Sequence, residues 1–184
     1  MDKLTETRRF HLKPLAYWLA ALLSTAAWAL DEDAIEIGYL YNFAKFVEWP
    51  AKVENRAGQP WTFCVLGDEI IKTVAVMLAD KQVRQKPISV VNAKHGSDWE
   101  GCQVAFVSAS EGWRVGTMLK EARNRPILTV SDAEGFVAQG GMIGLVRDGD
   151  KIRFEINLAA AEQAGLKIGA QLAKLAVKTY GREE

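Results

Sequence analysis

Four short apolar runs, separated by segments with helical spacing or by turn residues, constrain this chain more than any other feature. They are Trp61 to Gly67, Ile88 to Val91, Cys102 to Ala109 and Ile127 to Val130. Their centres, such as Phe63-Cys64-Val65-Leu66 and Val104-Ala105-Phe106-Val107, contain no alternating polar residue. A strand that is apolar on both sides has to be covered on both faces, which is the situation of a parallel sheet reached by crossover helices. Glu69 to Ala79 supplies one such helix, with Ile70, Val74, Met77 and Leu78 on its apolar side and Asp68 placed to cap it. Glu111 to about Asn124 supplies another, with Ser110 as its cap. The fold class expected is α/β: a three-layer domain with a mostly parallel sheet, completed by a C-terminal β-hairpin followed by two helices.

The hairpin is read from Met142 to Val146 and Lys151 to Asn157, joined by Arg147-Asp148-Gly149-Asp150. Asp-Gly between two extended runs is a strong hairpin signal. On the return strand Ile152, Phe154 and Ile156 alternate with Arg153, Glu155 and Asn157, so one face is buried and the other polar. Such a strand suits the edge of a sheet, where a polar face can meet a partner or simply solvent. Asn157 then caps a helix running to Gly165, and Ile168 to Thr179 reads as a second, with Leu172, Leu175 and Ala176 inward.

Upstream of the sheet, Tyr39 to Pro50 is a helix with an unusual aromatic load. Ile35, Leu40, Phe43 and Val47, flanked by Tyr39 and Phe46, mark one face, and Pro50 forces Trp49 out of the helical region. Only Asn42, Lys45 and Glu48 are polar positions free for other contacts.

The first 29 residues form a separate object. Lys3, Arg8, Arg9 and Lys13 precede the apolar run Leu15 to Ala26, and Ala27-Trp28-Ala29 has small residues where a signal peptidase reads. The run is short of the roughly 20 residues of a spanning helix, which favours a cleaved secretory signal over an uncleaved anchor. Residues 30–184 are then a single domain with no direct membrane insertion. Of 23 basic and 23 acidic residues, cleavage removes 4 and 2, leaving 19 against 21. That balance argues against nucleic acid as a partner.

Export to an oxidising compartment favours a disulfide between the two cysteines, Cys64 and Cys102, with a free reactive pair as the alternative. A zinc site would need more ligands than these and His95 supply. No phosphate-binding glycine loop, nucleophile elbow or triad is present. Asp68 and Asp132, at strand ends, could form a carboxylate pair but lack the third acid and the lysine of a metal pocket. The expectation is a protein with no catalytic residue, no metal and no cofactor, acting by binding.

Tyr41-Asn42-Phe43-Ala44-Lys45-Phe46-Val47-Glu48-Trp49-Pro50 resembles the opening signature of the YfiR-like family of small bacterial periplasmic proteins. Arg153-Phe154-Glu155-Ile156-Asn157-Leu158, followed by Ala164-Gly165-Leu166-Lys167-Ile168 and Gln171-Leu172, resembles its closing motif. The two blocks span nearly all of residues 30–184. The resemblance implies a periplasmic repressor that binds the periplasmic region of an inner-membrane diguanylate cyclase, lowering cyclic di-GMP and biofilm formation. It also implies that Lys45, Glu48, Trp49, Arg153, Glu155 and Asn157 are the residues to examine for partner binding. The matching bridge is Cys64 to Cys102; the second cysteine pair of the family's best-known member has no counterpart in this chain. The competing reading is a periplasmic small-molecule receptor whose apolar pocket is lined by Trp49, Trp61, Tyr39 and Tyr41. The sequence leaves open whether the domain pairs with itself.

Overall fold

Apolar side chains of the parallel strands leave the sheet alternately up and down, and each set is covered by its own layer. The computed structural model describes residues 32–54, 58–94 and 96–181. Residues 1–29, expected from the sequence to be a secretory signal, and His95 lie outside the described residues. Among those described, no helix is long and apolar enough to cross a membrane.

In chain order, helix α1 covers residues 32–46, followed by β1 (Val47–Glu48), α2 (Ala51–Glu54), β2 (Trp61–Leu66), α3 (Ile70–Leu78), β3 (Gln82–Val83) and β4 (Lys86–Asn92). A 3-10 turn at Gly96–Trp99 leads to β5 (Val104–Val107), and a second at Ala109–Arg114 leads into α4 (Val115–Ala122). Then come β6 (Leu128–Ser131), the hairpin β7 (Ile143–Asp148) and β8 (Lys151–Asn157), α5 (Leu158–Gln163), β9 (Lys167–Ile168), α6 (Ala170–Leu175) and β10 (Lys178–Tyr180). The main sheet has the order β10-β8-β7-β6-β5-β2-β4-β3. Strands β4, β2, β5, β6 and β7 are mutually parallel, and β8 runs antiparallel to β7.

After β2 the chain steps one way to β4, then returns past β2 to β5 and β6. Right-handed crossovers in opposite directions place their helices on opposite faces. Accordingly α3 packs with α1 on the face of Phe63, Val65, Val104, Phe106, Leu128 and Val130. Helix α4 covers the other, formed by Cys64, Leu66, Ala105, Val107 and Ile127 together with Trp99 and Phe136.

The disulfide lies on this second face. Cys64 and Cys102 are bonded, their Cα atoms 5.9 Å apart and 38 positions apart in sequence. Both are buried, and Trp99 beside them donates its indole N–H to Glu121 Oε2 of α4 at 2.8 Å. Further along, Phe136 lies so close to Gly141 that a Cβ there would approach its ring to 2.2 Å. Glycine is therefore required for the β6 to β7 connection to fold down onto α4's layer.

Several local expectations give way to tertiary contacts. The aromatic helix ends at residue 46 rather than at Trp49, because Val47 and Glu48 pair antiparallel with Ile168 and Lys167. Its buried upstream residue is Ile37, whereas Ile35 is exposed. Asp68 does not cap α3: Glu69 holds the cap position without a side-chain hydrogen bond, and Asp68 turns outward to Asn92 and Lys94. Ser110 sits inside a 3-10 turn, its hydroxyl donating to Ser108 Oγ at 3.1 Å, and α4 begins only at Val115. Ile168 to Thr179 is not one helix but β9, α6 and β10, and Leu175 is exposed. Strand β8 is not an edge, since β10 pairs with it in parallel over Glu155 to Asn157.

Two outcomes are expected from this packing. Replacing Cys64 and Cys102 together by serine releases a loop whose closure is worth about 4 kcal/mol in the chain-entropy model, lowering the denaturation midpoint of the oxidised protein toward that of the reduced wild type. Gly141→Ala destabilises by overpacking, about 1–3 kcal/mol in urea unfolding, and Phe136→Leu in the same chain recovers part of it.

Candidate functional site

The opening and closing blocks of the sequence, more than a hundred positions apart, meet in one aromatic cluster. Tyr39 and Phe43 of α1 stack at 5.6 Å between ring centroids, and Phe154 of β8 meets them edge-on at 5.4 and 5.0 Å. Tyr39 also donates its hydroxyl to the Ile152 carbonyl oxygen at 3.1 Å. Such pairs contribute about 0.5–1.5 kcal/mol each beyond their burial, so the helix and hairpin are held firmly.

Beside the cluster is an apolar groove of about 280 Å³, lined by Tyr39, Asn42, Phe43, Phe46, Phe154 and, from α6, Gln171, Leu172 and Leu175. Phe43 and Phe154 form its buried floor. Phe46 and Leu175 stand at its rim with 51% and 67% of their surface exposed, which is a large apolar load to leave in water.

The residues singled out for partner binding are distributed over both faces of the sheet. Lys45 is exposed, its ammonium 5.1 Å from the Tyr41 ring centroid. Glu48 pairs with Lys167 at 3.0 Å, a surface ion pair that fastens the β1–β9 ribbon. Trp49 is buried. Its indole N–H donates to the Ala44 carbonyl oxygen at 3.2 Å and its ring meets Trp61 at 5.2 Å.

Arg153, Glu155 and Asn157 point away from Phe154 by strand alternation, and each is half-buried. Glu155 Oε2 accepts from the Tyr180 hydroxyl at 3.2 Å, and Asn157 Oδ1 accepts from the Ala160 N–H at 3.0 Å as the cap of α5. On the polar side of the return strand Glu155 is thus tied to β10 and Asn157 to the start of α5, whereas Arg153 Nε is buried without a hydrogen-bond partner among the described residues, and Lys45 and Glu48 lie with the opposite layer. The receptor reading needs a similar correction. Trp49 and Trp61 pack on one another in the core and do not line the groove; Tyr39 does, and Tyr41 instead donates to the Gln82 carbonyl oxygen at 3.1 Å. The groove-lining residues missed by pattern reading are Phe46, Gln171 and Leu175, whose exposure no local spacing reports.

At the carboxyl ends of β2 and β5, where the strand order reverses and α/β folds commonly hold ligands, the chain is closely packed. A Cβ at Gly67 would lie 2.9 Å from Ser108 Cβ. Asp68 accepts from Asn92 Nδ2 at 3.2 Å and pairs with Lys94 at 3.2 Å; the Asn92 hydrogen bond first, then Lys94, holds its carboxyl below the usual range. Asp132 Oδ1 accepts from the Ala109 N–H at 2.7 Å. Both carboxylates therefore have structural ties. Among the described residues, no group of three or more His, Cys, Asp or Glu gathers as metal ligands.

A family model described as YfiR/HmsC-like matches residues 33–177. The chain belongs to the YfiR/HmsC-like family. The match begins in α1 and stops just before β10, so it contains the aromatic cluster, the disulfide and every wall of the groove. No curated protein matches the chain.

Truncations separate floor from rim. Phe43→Ala should cost about 3–5 kcal/mol of stability, as deletion of a fully buried ring does. Phe46→Ser and Leu175→Ser should change stability by under about 1 kcal/mol, read from thermal and urea unfolding of the same preparations.

Proposed function

We propose that this protein is a periplasmic regulator that binds the periplasmic region of an inner-membrane diguanylate cyclase and holds it inactive, lowering cyclic di-GMP and with it biofilm formation. The observation that carries this reading is the family match over residues 33–177. The aromatic contact between Phe43 and Phe154 supports it, because it brings the two blocks of family resemblance together in one rigid unit.

On this reading the protein is not an enzyme and needs no cofactor. It acts by binding one state of its partner more tightly than the other, and the population shift cannot exceed that difference in affinity. The leader is removed on export, and the disulfide holds the exported domain together under oxidising conditions. A second reading, a periplasmic receptor for a small apolar molecule, is favoured by the groove between α1, β8 and α6. The two are compatible, since a ligand in the groove would bias whichever state binds the partner.

Deleting the gene should raise cyclic di-GMP and surface attachment, and complementation with the exported chain should restore both. The purified domain should retain a membrane protein carrying a diguanylate cyclase domain. Complementation by the chain with both cysteines replaced by serine should fail. If deletion leaves cyclic di-GMP unchanged, the regulatory reading falls; quenching of tryptophan fluorescence by a small apolar metabolite would then support the receptor.

A further inference from the structure

Thr129 of β6 is one of the few polar side chains in the core, with 2% of its surface exposed. Strand alternation puts it on α4's side of the sheet, since its neighbours Leu128 and Val130 belong to the other layer. Its Oγ1 accepts from the Met142 N–H at 3.1 Å, so its own O–H is left to donate, and no described residue receives it. Such an unspent buried donor is costly unless something accepts from it. Asn157 is in a similar position. Its Oδ1 is committed to the Ala160 N–H, which leaves the two N–H groups of Nδ2 without an acceptor among the described residues.

Both side chains line the same groove, about 280 Å³ in volume, between the C-terminal end of α4 and α5. At about 30 Å³ per water molecule this is room for roughly nine waters, the size of a single sugar ring rather than of a peptide. Its rim is formed by Arg123, Asn124, Gln139 and Gln163, all exposed and none tied to another described residue. Leu119, Ala160 and Ala164 add a small apolar patch. No Asp, Glu or Lys and no aromatic ring is among the described residues lining it.

That composition selects among small molecules. Without a carboxylate, the groove has no partner for an ammonium group, which disfavours amino acids and amines; without a ring, it has no stacking platform for aromatic ligands. Side-chain amides both donate and accept, as the vicinal hydroxyls of a sugar do. The guanidinium of Arg123 is the one formal charge, and its fork matches a carboxylate. We propose that this groove binds a monosaccharide-sized sugar acid, its carboxylate paired with Arg123 and its hydroxyls bridged by Asn124, Gln139, Gln163 and Asn157, with a ring or hydroxyl oxygen accepting from Thr129. An exported protein meets such acids as wall sugars of the N-acetylmuramic type or as free uronic acids, which share the ring of hydroxyls with one carboxylate. The inference is independent of the cyclase reading, and the groove is separate from the apolar one beside Phe46.

Titrating the isotopically labelled exported protein with N-acetylmuramic acid, glucuronic acid, glucose and alanine, followed by amide NMR spectra, tests it. The expected result is that at least one of the two acids shifts the amides of Thr129, Met142 and Ala160 at millimolar concentration, that glucose binds at least about tenfold more weakly, and that alanine leaves these amides unmoved. Tighter binding of N-acetylmuramic acid assigns the groove to wall sugars, and tighter binding of glucuronic acid to uronic acids; either supports the proposal. Arg123→Gln should reduce the affinity for the acid to that for glucose, whereas Gln163→Leu should weaken both, with unfolding midpoints unchanged because both positions are exposed. The proposal is overturned if neither acid moves those amides, if glucose or alanine binds as tightly as the acids, or if Arg123→Gln binds the acid as wild type does. The comparison of four ligands uses wild-type protein, so it decides even where a variant fails to fold.

Discussion

The contact of Phe43 with Tyr39 and Phe154 is the interaction on which the rest of the architecture leans. The hairpin β7–β8 extends the parallel sheet at one end, and an antiparallel pair with one apolar face is only marginally stable until something covers that face. Helix α1 is that cover. It comes from the other end of the chain, so closing the domain requires a loop of more than a hundred residues to be ordered first. Aromatic rings suit this task because each buries a large area with few rotatable bonds.

The opposite layer is stabilised differently. Helix α4 buries only Val115, Met118 and Ala122. The disulfide, Trp99 and Phe136 fill the space that a longer apolar helix would otherwise occupy. One face of the sheet thus depends on aromatic packing between distant segments, and the other on a covalent link supplemented by small and aromatic side chains. The groove arises where the first kind of packing stops short: α6 is a six-residue helix of which Leu172 is buried, while Leu175 and Phe46, both lining the groove, stay exposed.

Local pattern was a reliable guide wherever burial on both faces or on one face was the dominant demand. Continuous apolar runs became β2, β4, β5 and β6 within a few residues of their expected ends, and alternation at Ile152, Phe154 and Ile156 reported the inner face of β8 correctly. The Asp-Gly turn and the Asn157 cap also form as their chemistry requires, with Gly149 at φ +60°. The pattern misled where a side chain had two compatible employments. Asp68 can cap a helix or accept from Asn92 and pair with Lys94, and the three-dimensional arrangement offered the latter. Trp49 can line a pocket or seal a core, and the neighbouring ring of Trp61 settled it.

The sequence alone determined the class of sheet, the position of the hairpin and the aromatic identity of the first helix, because hydrophobic period and turn chemistry act over a few residues. Tertiary structure decided which strands are edges, which polar faces are free and where apolar side chains remain in water. Those outcomes depend on pairings such as β10 with β8 and β1 with β9, between segments whose spacing carries no record of one another. That is why Ile168 to Thr179 reads as one helix but divides into strand, helix and strand: two separate sheet edges recruit its ends.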